Sequence, residues 1–278
     1  MKTLFLSIIG ILFLTSLAFA DYVEIKDLTL ASEGLDELEI DCGAGFLDIK
    51  GYDGLDKIEV EAEIVFEGYG EDDALEFMER NMVLDLETLG DKAVLRAYFE
   101  DNKNWSFFGR KNRLINLTIR VPKKMALDID DGSGYIYIDE IENRVEIEDG
   151  SGEITVLNVR GPLVIDDGSG EIEIENVVGE IELEDGSGAI SVEDVVGQMF
   201  IDDGSGSIRL ANIEGDIEIE DGSGDMTIKH VSGSIVVDDG SGDIRIDRVT
   251  KDVRIIDAGS GGTRITNVDG QVRGDIDI

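Results

Sequence analysis

Cysteine, proline and tryptophan are almost missing from the 278-residue sequence, which contains one cysteine, two prolines and one tryptophan. Because Cys42 has no second cysteine to pair with, no disulfide can form within the chain, and packing has to stabilise the fold. After Ala20, no stretch approaches the roughly 20 consecutive apolar residues of a membrane-spanning helix. The sequence therefore predicts a chain that does not span a membrane.

Basic residues are also few. The chain has 24 Lys and Arg against 63 Asp and Glu, which gives a net charge of -39. This charge repels nucleic acid and anionic lipid head groups, so cations and basic groups are the ligands expected from charge. High acidity with few aromatic residues can indicate disorder. The 42% hydrophobic content is nevertheless rich in Ile and Val in a regular pattern, which predicts a packed β-structure.

The segment from Met1 to Ala20 has the features of a secretory signal peptide. Lys2 supplies the positive charge, the run from Leu4 to Leu17 is apolar, and Ala18-Phe19-Ala20 fits the small-x-small cleavage pattern. Cleavage after Ala20 predicts a mature protein that is secreted, periplasmic or located in the cell envelope.

The tetrapeptide Asp-Gly-Ser-Gly heads an 18-residue unit that is repeated without slippage. A fixed internal period predicts a solenoid, in which each repeat stacks on its neighbours. Between the tetrapeptides, apolar and acidic residues alternate with period two, which indicates strands. The tetrapeptide begins at Asp131, Asp149, Asp167, Asp185, Asp203, Asp221 and Asp239, and a variant begins at Asp257. In the unit from Asp167 to Glu184 the alternation predicts five buried residues: Ile172, Ile174, Val177, Ile181 and Leu183.

Two coil lengths are compatible with this repeat. Each unit contains two short strands and two corners, where glycine is expected to supply a positive φ and a close approach of the coils. The sixteenth position alternates between Glu146, Glu182, Glu218 and Arg254 in one set of units and Val164, Phe200 and Val236 in the other. An 18-residue coil mixes these side chains in one column, whereas a 36-residue coil keeps the columns uniform. Because like residues stack in register in such ladders, we favour the 36-residue coil.

Residues 21–130 lack the strict repeat and are predicted to form an irregular N-terminal cap with one short helix at residues 72–82. Predicted strands in this region are Glu37 to Cys42, Phe46 to Lys50, Lys57 to Phe66, Ala93 to Phe99 and Leu114 to Val121. The spacing of Asp41-Cys42-Gly43-Ala44-Gly45 matches that of Asp257-Ala258-Gly259-Ser260-Gly261, so the coils are expected to begin near residue 37. We therefore divide the chain into a signal peptide (1–20), a β-rich cap with the first coils (21–130) and a regular, all-β, parallel β-solenoid (131–278).

The segment Leu117-Thr118-Ile119-Arg120-Val121-Pro122-Lys123 is followed by an Asp-x-Asp strand and serial Ser-Gly-x-Ile-x-Ile repeats. This pattern resembles a bacterial family of β-strand-repeat domains of unknown function whose members are named putative adhesins. The resemblance spans nearly the whole mature chain. It implies a right-handed, β-helix-like fold at the cell envelope and an adhesive function, and it implies no catalytic or binding residues.

The repeated aspartates are the first candidate site. Stacking places them about 4.8 Å apart, where neighbouring charges repel by roughly 1 kcal/mol in water and about 3 to 4 kcal/mol at an effective dielectric constant of 20. One interpretation is a ladder of Ca²⁺ sites, with ligands from Asp149, Asp167, Asp185, Asp203, Asp221 and Asp239. The other is that each aspartate accepts N–H groups of its own turn. The calcium-binding repeat Gly-Gly-x-Gly-x-Asp would have its aspartate at Ile172, so we favour the turn interpretation, and no other cofactor is predicted.

Two groups of residues are candidate contact surfaces. Val164, Phe200 and Val236 are predicted to form an outward apolar stripe, covered either by residues 50–120 or by a partner or second copy. The basic aromatic cluster of Trp105, Phe107, Phe108 and Arg110 is predicted to lie at a hairpin tip. It would contact a surface glycan or a protein, or its aromatic rings would fold back on the first coil.

No catalytic arrangement is predicted. His230 is the only histidine, it lies on an outward corner, and the repeated serines have no base in reach. A polysaccharide-cleaving enzyme would need one unit that breaks the pattern to form an acid and base cluster, and no regular unit does so. The sequence predicts a structural or adhesin-like protein that offers a repetitive acidic surface for weak multivalent contacts. A Ca²⁺-binding or carbohydrate-binding module is the alternative.

Overall fold

The computed structural model describes residues 21–100 and 112–274. These residues form 22 strands and one α-helix, which divide into two compact units, unit 1 ending at Tyr137 and unit 2 beginning at Ile138. The fold is the predicted all-β parallel β-solenoid, with about eight turns. The predicted signal peptide lies outside the described residues. Within the described ranges, no helix has the length and apolar character that a membrane crossing requires.

Unit 1 combines parallel and antiparallel pairing. Strand β2 pairs in parallel with β5 and β6, whereas β3 is antiparallel to both β1 and β6, and β4 is antiparallel to β5. Its elements are β1 (Tyr22–Ala31), β2 (Glu37–Tyr52), β3 (Lys57–Phe66), α1 (Glu71–Asn81), β4 (Met82–Leu89), β5 (Lys92–Phe99), β6 (Arg113–Pro122) and the first part of β7 (Ala126–Ile141). The predicted strands and the helix are all present, and β1 and β4 are additional.

Unit 2 contains the regular coils. Its even-numbered and odd-numbered strands form two separate parallel stacks. The even-numbered strands are β8 (Val145–Asp149), β10 (Leu163–Asp167), β12 (Ile181–Asp185), β14 (Met199–Asp203), β16 (Ile217–Asp221), β18 (Ile235–Asp239), β20 (Val253–Asp257) and β22 (Val272–Gly274). The odd-numbered strands are β9 (Gly152–Val159), β11 (Gly170–Val178), β13 (Gly188–Val196), β15 (Gly206–Glu214), β17 (Met226–Val231), β19 (Ile244–Val249) and β21 (Thr263–Val268).

Each regular coil is a single 18-residue unit with two strands. Leu163 pairs in register with Val145 on one side and with Ile181 on the other. The preference for a 36-residue coil is therefore wrong. An outward column that alternates Glu with Val or Phe is favourable, because it places the Glu carboxylates two coils apart instead of one. The electrostatic repulsion between them is smaller at the larger distance.

The interior of unit 2 follows the predicted alternation. Ile172, Ile181 and Leu183 are fully buried, while Glu173 and Glu182 between them are exposed. Every coil thus adds one layer of Ile, Val and Leu to a continuous core, and burial of each such side chain contributes about 1.5 to 3 kcal/mol before the entropy cost of folding.

Glycine at the corners permits close stacking of the backbone. A Cβ atom on Gly188 would lie 1.6 Å from the carbonyl oxygen of Gly170 in the neighbouring coil, so a side chain cannot be accommodated there. The left-handed conformation expected of corner glycines occurs mainly in a column of other residues. These are Glu140, Asn158, Asn176, Asp194, Asn212, His230, Arg248 and Asn267, with φ between 54° and 62°. Asn and Asp tolerate this conformation better than most residues.

Candidate functional site

The repeated aspartates of unit 2 form one buried column, called here the aspartate column. Its members pair in register from coil to coil and are between 0 and 6% exposed. Strand alternation explains their direction, because Asp185 follows the inward residues Ile181 and Leu183 on the same face of β12. The column consists of Asp149, Asp167, Asp185, Asp203, Asp221 and Asp239.

One oxygen of each column aspartate stabilises the corner. Oδ1 accepts the backbone N–H of the serine two residues later, at N to O distances of 2.9 to 3.2 Å. The glycine between them donates its own N–H to the carbonyl oxygen of the aspartate one coil earlier, as Gly186 does to Asp167 at 2.8 Å. The serine contact is the one that the turn interpretation predicts, and the glycine bond between coils is additional.

Burial raises the pKa values of five column aspartates, which are Asp167, Asp185, Asp203, Asp221 and Asp239. The pKa rises from 3.8 to about 6 in Asp167, Asp185 and Asp203, and to about 7 in Asp221. Loss of hydration is the largest cause, since a low-dielectric environment disfavours the charged carboxylate. The negative charges of neighbouring aspartates raise the pKa further, and the serine N–H lowers it only in part.

The structure brings the predicted metal ligands into one column. Across the described ranges, however, no group of three or more His, Cys, Asp or Glu side chains is arranged to hold a metal ion. Ca²⁺ takes six to eight oxygen ligands, and in this column Oδ1 of each aspartate is already bonded to its turn. Binding of Ca²⁺ by the aspartate column stays a prediction.

The predicted apolar stripe is interrupted by charged residues. Phe200 pairs in register with Glu182 in the coil before it and with Glu218 in the coil after it, because each coil is one unit of the repeat. Val164, Phe200 and Val236 are each half-buried, and a contact with a partner at these positions stays a prediction. The other predicted contact, formed by Trp105, Phe107, Phe108 and Arg110, lies outside the described residues.

Substitution of Phe200 tests this outward column. We expect Phe200→Ser to remain folded and to lower the free energy of unfolding by about 1 kcal/mol, because the ring is only half-buried. Phe200→Asp should lower the free energy of unfolding by about 1 kcal/mol more, because its carboxylate would lie between those of Glu182 and Glu218 in consecutive coils. Urea unfolding measures both values, and sedimentation shows whether self-association changes. An unfolded Phe200→Ser variant would contradict the outward position.

A second, polar column lies at the left-handed corner. Asn212 donates through Nδ2 to Oδ1 of Asp194 at 2.9 Å, and Arg248 Nη1 lies 2.7 Å from His230 Nε2. Because a guanidinium group can only donate, Nε2 accepts and the ring proton of His230 lies on Nδ1. An open groove of about 340 Å³ runs beside Asp194, Asn212 and His230 and includes the exposed Val196. The corner therefore offers hydrogen-bond donors and acceptors next to an apolar side chain.

A protein-family model described as Toastrack DUF4097 matches residues 56–260, most of the chain. The chain belongs to the Toastrack DUF4097 family. This assignment confirms the resemblance to a bacterial family of unknown function that the repeats indicated. A comparison of the Toastrack chain with curated proteins gives no match.

Several solved structures are similar to the Toastrack chain. A putative adhesin from Parabacteroides distasonis ATCC 8503 has 13% identity and a TM-score of 0.46, covering 90% of this chain and 97% of that chain. A putative cell adhesion protein from Clostridium sporogenes ATCC 15579 has 13% identity and a TM-score of 0.30, with coverage of 91% and 100%. A putative lipid binding protein from Parabacteroides distasonis ATCC 8503 has 14% identity and a TM-score of 0.34, with coverage of 92% and 95%. At these TM-scores no functional conclusion follows.

Sequence reasoning on the Toastrack chain missed two features of these columns. The inward direction of the aspartates was open to prediction, because period two places Asp185 on the same face as Leu183. The polar corner is not evident within a single unit, because Asp194, Asn212 and His230 come together across three coils. A small polar residue followed by Val or Ile at an 18-residue spacing, as at Asn212, was the available signal.

Proposed function

We propose that this Toastrack protein is an exported cell-envelope protein, structural or adhesin-like, whose solenoid offers a repetitive acidic surface for many weak contacts. The observation that supports this function is the outward direction of the acidic residues in the regular coils. In a single coil Glu171, Glu173, Glu180, Glu182 and Glu184 are all exposed. Between residues 163 and 243 the basic residues are limited to Arg209 and Lys229, so few of these carboxylates are neutralised nearby.

Single contacts with such a surface are weak. An exposed ion pair contributes about 0 to 1 kcal/mol, and salt screens it over roughly 8 Å at physiological ionic strength. Coils that repeat the same side chains at the strand spacing of about 4.8 Å let one extended partner make many such contacts, and the combined affinity then far exceeds that of one contact. The expected partners are basic groups on a surface protein or glycan, or on a second copy of this chain.

Export is the second part of the proposal. Its support is the signal-peptide pattern of Lys2, the apolar run from Leu4 to Leu17 and the Ala18-Phe19-Ala20 site. Strand pairing through the backbone and an apolar core stabilise the coils without disulfides, and the lone Cys42 is buried. The fold is therefore independent of the redox state of its compartment.

Binding of lysine oligomers tests the acidic surface. With the mature protein, residues 21–278, we expect a peptide of about sixteen lysines to bind at least about 100-fold more tightly than one of about four lysines, because the longer peptide spans several coils. Calorimetry at low and physiological salt measures both affinities, and the affinity of the longer peptide should fall steeply as salt rises.

A matched pair of variants locates the contact. Glu182→Gln combined with Glu218→Gln removes two charges from one outward column of unit 2. This double variant should bind the long peptide several-fold more weakly. Glu76→Gln on α1, an exposed residue paired with Arg80 at 2.6 Å, should leave its affinity unchanged. Equal affinity for the two peptides, or equal effects of the two variants, would refute a multivalent surface on the coils.

A further inference from the structure

In five members of the aspartate column the inner carboxylate oxygen has no hydrogen-bond partner. In Asp167, Asp185, Asp203, Asp221 and Asp239, Oδ1 accepts a serine N–H while Oδ2 is buried and unsatisfied. The residues are between 0 and 5% exposed. A buried carboxylate oxygen without a partner is costly, so an unsatisfied group repeated in five consecutive coils requires an explanation.

The charged groups that act on these five aspartates are all carboxylates. Neighbours in the column face each other across one coil step, as Asp185 faces Asp167 and Asp203. The remaining groups that act on them are Asp149, Asp166, Asp202, Asp238 and Asp257. Since no Lys, Arg or His is among them, no side chain in the described residues compensates the charge of an ionised column.

Unit 1 shows which kind of group suits this position. Cys42 occupies the corresponding corner, and its thiol donates to Oδ1 of Asp131 at 3.2 Å. Burial, together with the nearby carboxylates, raises the pKa of this thiol, so it is a neutral proton donor. In the coil that follows Asp239 the same position is taken by Ala258, which is also neutral. Uncharged groups thus occupy this corner wherever aspartate is replaced.

We propose that the aspartate column is a proton-binding element, whose buried carboxyl groups hold protons in the folded protein and make the solenoid more stable in acid. A protonated Oδ2 carries no charge that burial penalises, while Oδ1 keeps its bond to the serine N–H. Each coil with a column aspartate would thus bind one proton.

The direction of the pH dependence follows from the burial. The folded pKa values of about 6 to 7 in Asp167, Asp185, Asp203 and Asp221 exceed the ordinary value of 3.8, so the folded chain binds these protons more tightly than the unfolded chain. The resulting stability is fully present below about pH 4 and is lost as pH rises through about 6 to 7. We expect the melting temperature to fall by about 10 °C between pH 5 and pH 8.

Asparagine imitates a protonated aspartate, which allows a direct test. Asp203→Asn should raise the melting temperature by about 5 °C at pH 8 and by about half as much at pH 5, because only part of the proton-linked stability has been lost at that pH. Asp202→Asn is the matched control, because Asp202 is adjacent in sequence but exposed and removes the same charge. An Asp203→Asn variant that is no more stable than Asp202→Asn at pH 8 would overturn the proposal.

Two measurements on the unsubstituted protein cover the case in which a variant does not fold. Infrared spectroscopy should show the carbonyl band of protonated carboxyl groups at about pH 5.5, well above the ordinary pKa of aspartate, and the band should disappear towards pH 8. Thermal unfolding at pH 8 with Ca²⁺ and with a chelator should give equal melting temperatures. Absence of the band would refute proton binding. Stabilisation by Ca²⁺ that Asp203→Asn removes would also refute it and would assign the column to Ca²⁺.

Discussion

Gly188→Ala should abolish the ordered stack of coils around β13, with a loss of more than about 4 kcal/mol in the free energy of unfolding. The added Cβ would lie 1.6 Å from the carbonyl oxygen of Gly170, an overlap that only separation of the two coils can relieve. That separation breaks backbone hydrogen bonds at the same corner, including the bond from Gly170 N–H to the carbonyl oxygen of Ser187. Circular dichroism and urea unfolding measure the effect.

Gly70→Ala is the matched control for this substitution. Gly70 precedes α1 with φ of -74°, and a Cβ atom there would meet nothing within 4 Å. Because glycine is preferred over alanine at a helix N-cap, we expect a loss of about 1 kcal/mol or less at this position. If both alanine variants have the same stability, close backbone stacking is not the reason for glycine at the coil corners.

Removal of one complete coil should leave a folded protein. Deletion of Asp167 to Glu184 joins Asp166 to Asp185, which restores the Asp-Gly-Ser-Gly corner and the 18-residue register on both sides. Because each coil contacts only its neighbours, the loss is limited to one coil and one interface. The mean β-content per residue, measured by circular dichroism, should be unchanged.

Removal of half a coil should be far more damaging. Deletion of Glu171 to Gly179 leaves the corner at Gly170 but removes most of β11, so that β12 would follow where an odd-numbered strand belongs. All later strands would then meet the wrong partners, and we expect aggregation or unfolding. With a 36-residue coil, the 18-residue deletion would also put the strands out of register, so folding of that variant distinguishes the two lengths.

The sequence predicts the strands and their buried faces because alternation records burial directly. Ile172 and Leu183 lie inside and Glu182 lies outside, as the apolar and acidic residues indicate. Coil length is different in kind, since it depends on where the chain turns back. The left-handed residue in each unit, such as Asn176 with φ of 59°, closes the coil within a single unit, and similarity between units does not reveal this conformation.

Unit 1 shows a different limit of sequence reasoning. The helix ends at Asn81 and β4 begins at Met82, with no glycine or proline to mark the change. Antiparallel pairing of β4 with β5 overrides the local pattern there. In the candidate site, the aspartates and their serine contacts could be predicted from turn chemistry, whereas the unsatisfied inner oxygens and the column of Asp194, Asn212 and His230 depend on stacking between coils.

The equal register of successive coils has a genetic consequence. When the DNA that encodes neighbouring repeats misaligns by one unit during replication or recombination, the product gains or loses a whole coil. Each new junction then meets the same glycine backbone, the same serine contact and the same layer of Ile and Val as before. Homologues of different length can therefore arise in single steps, and natural selection can change the number of coils separately from the side chains that face the solvent.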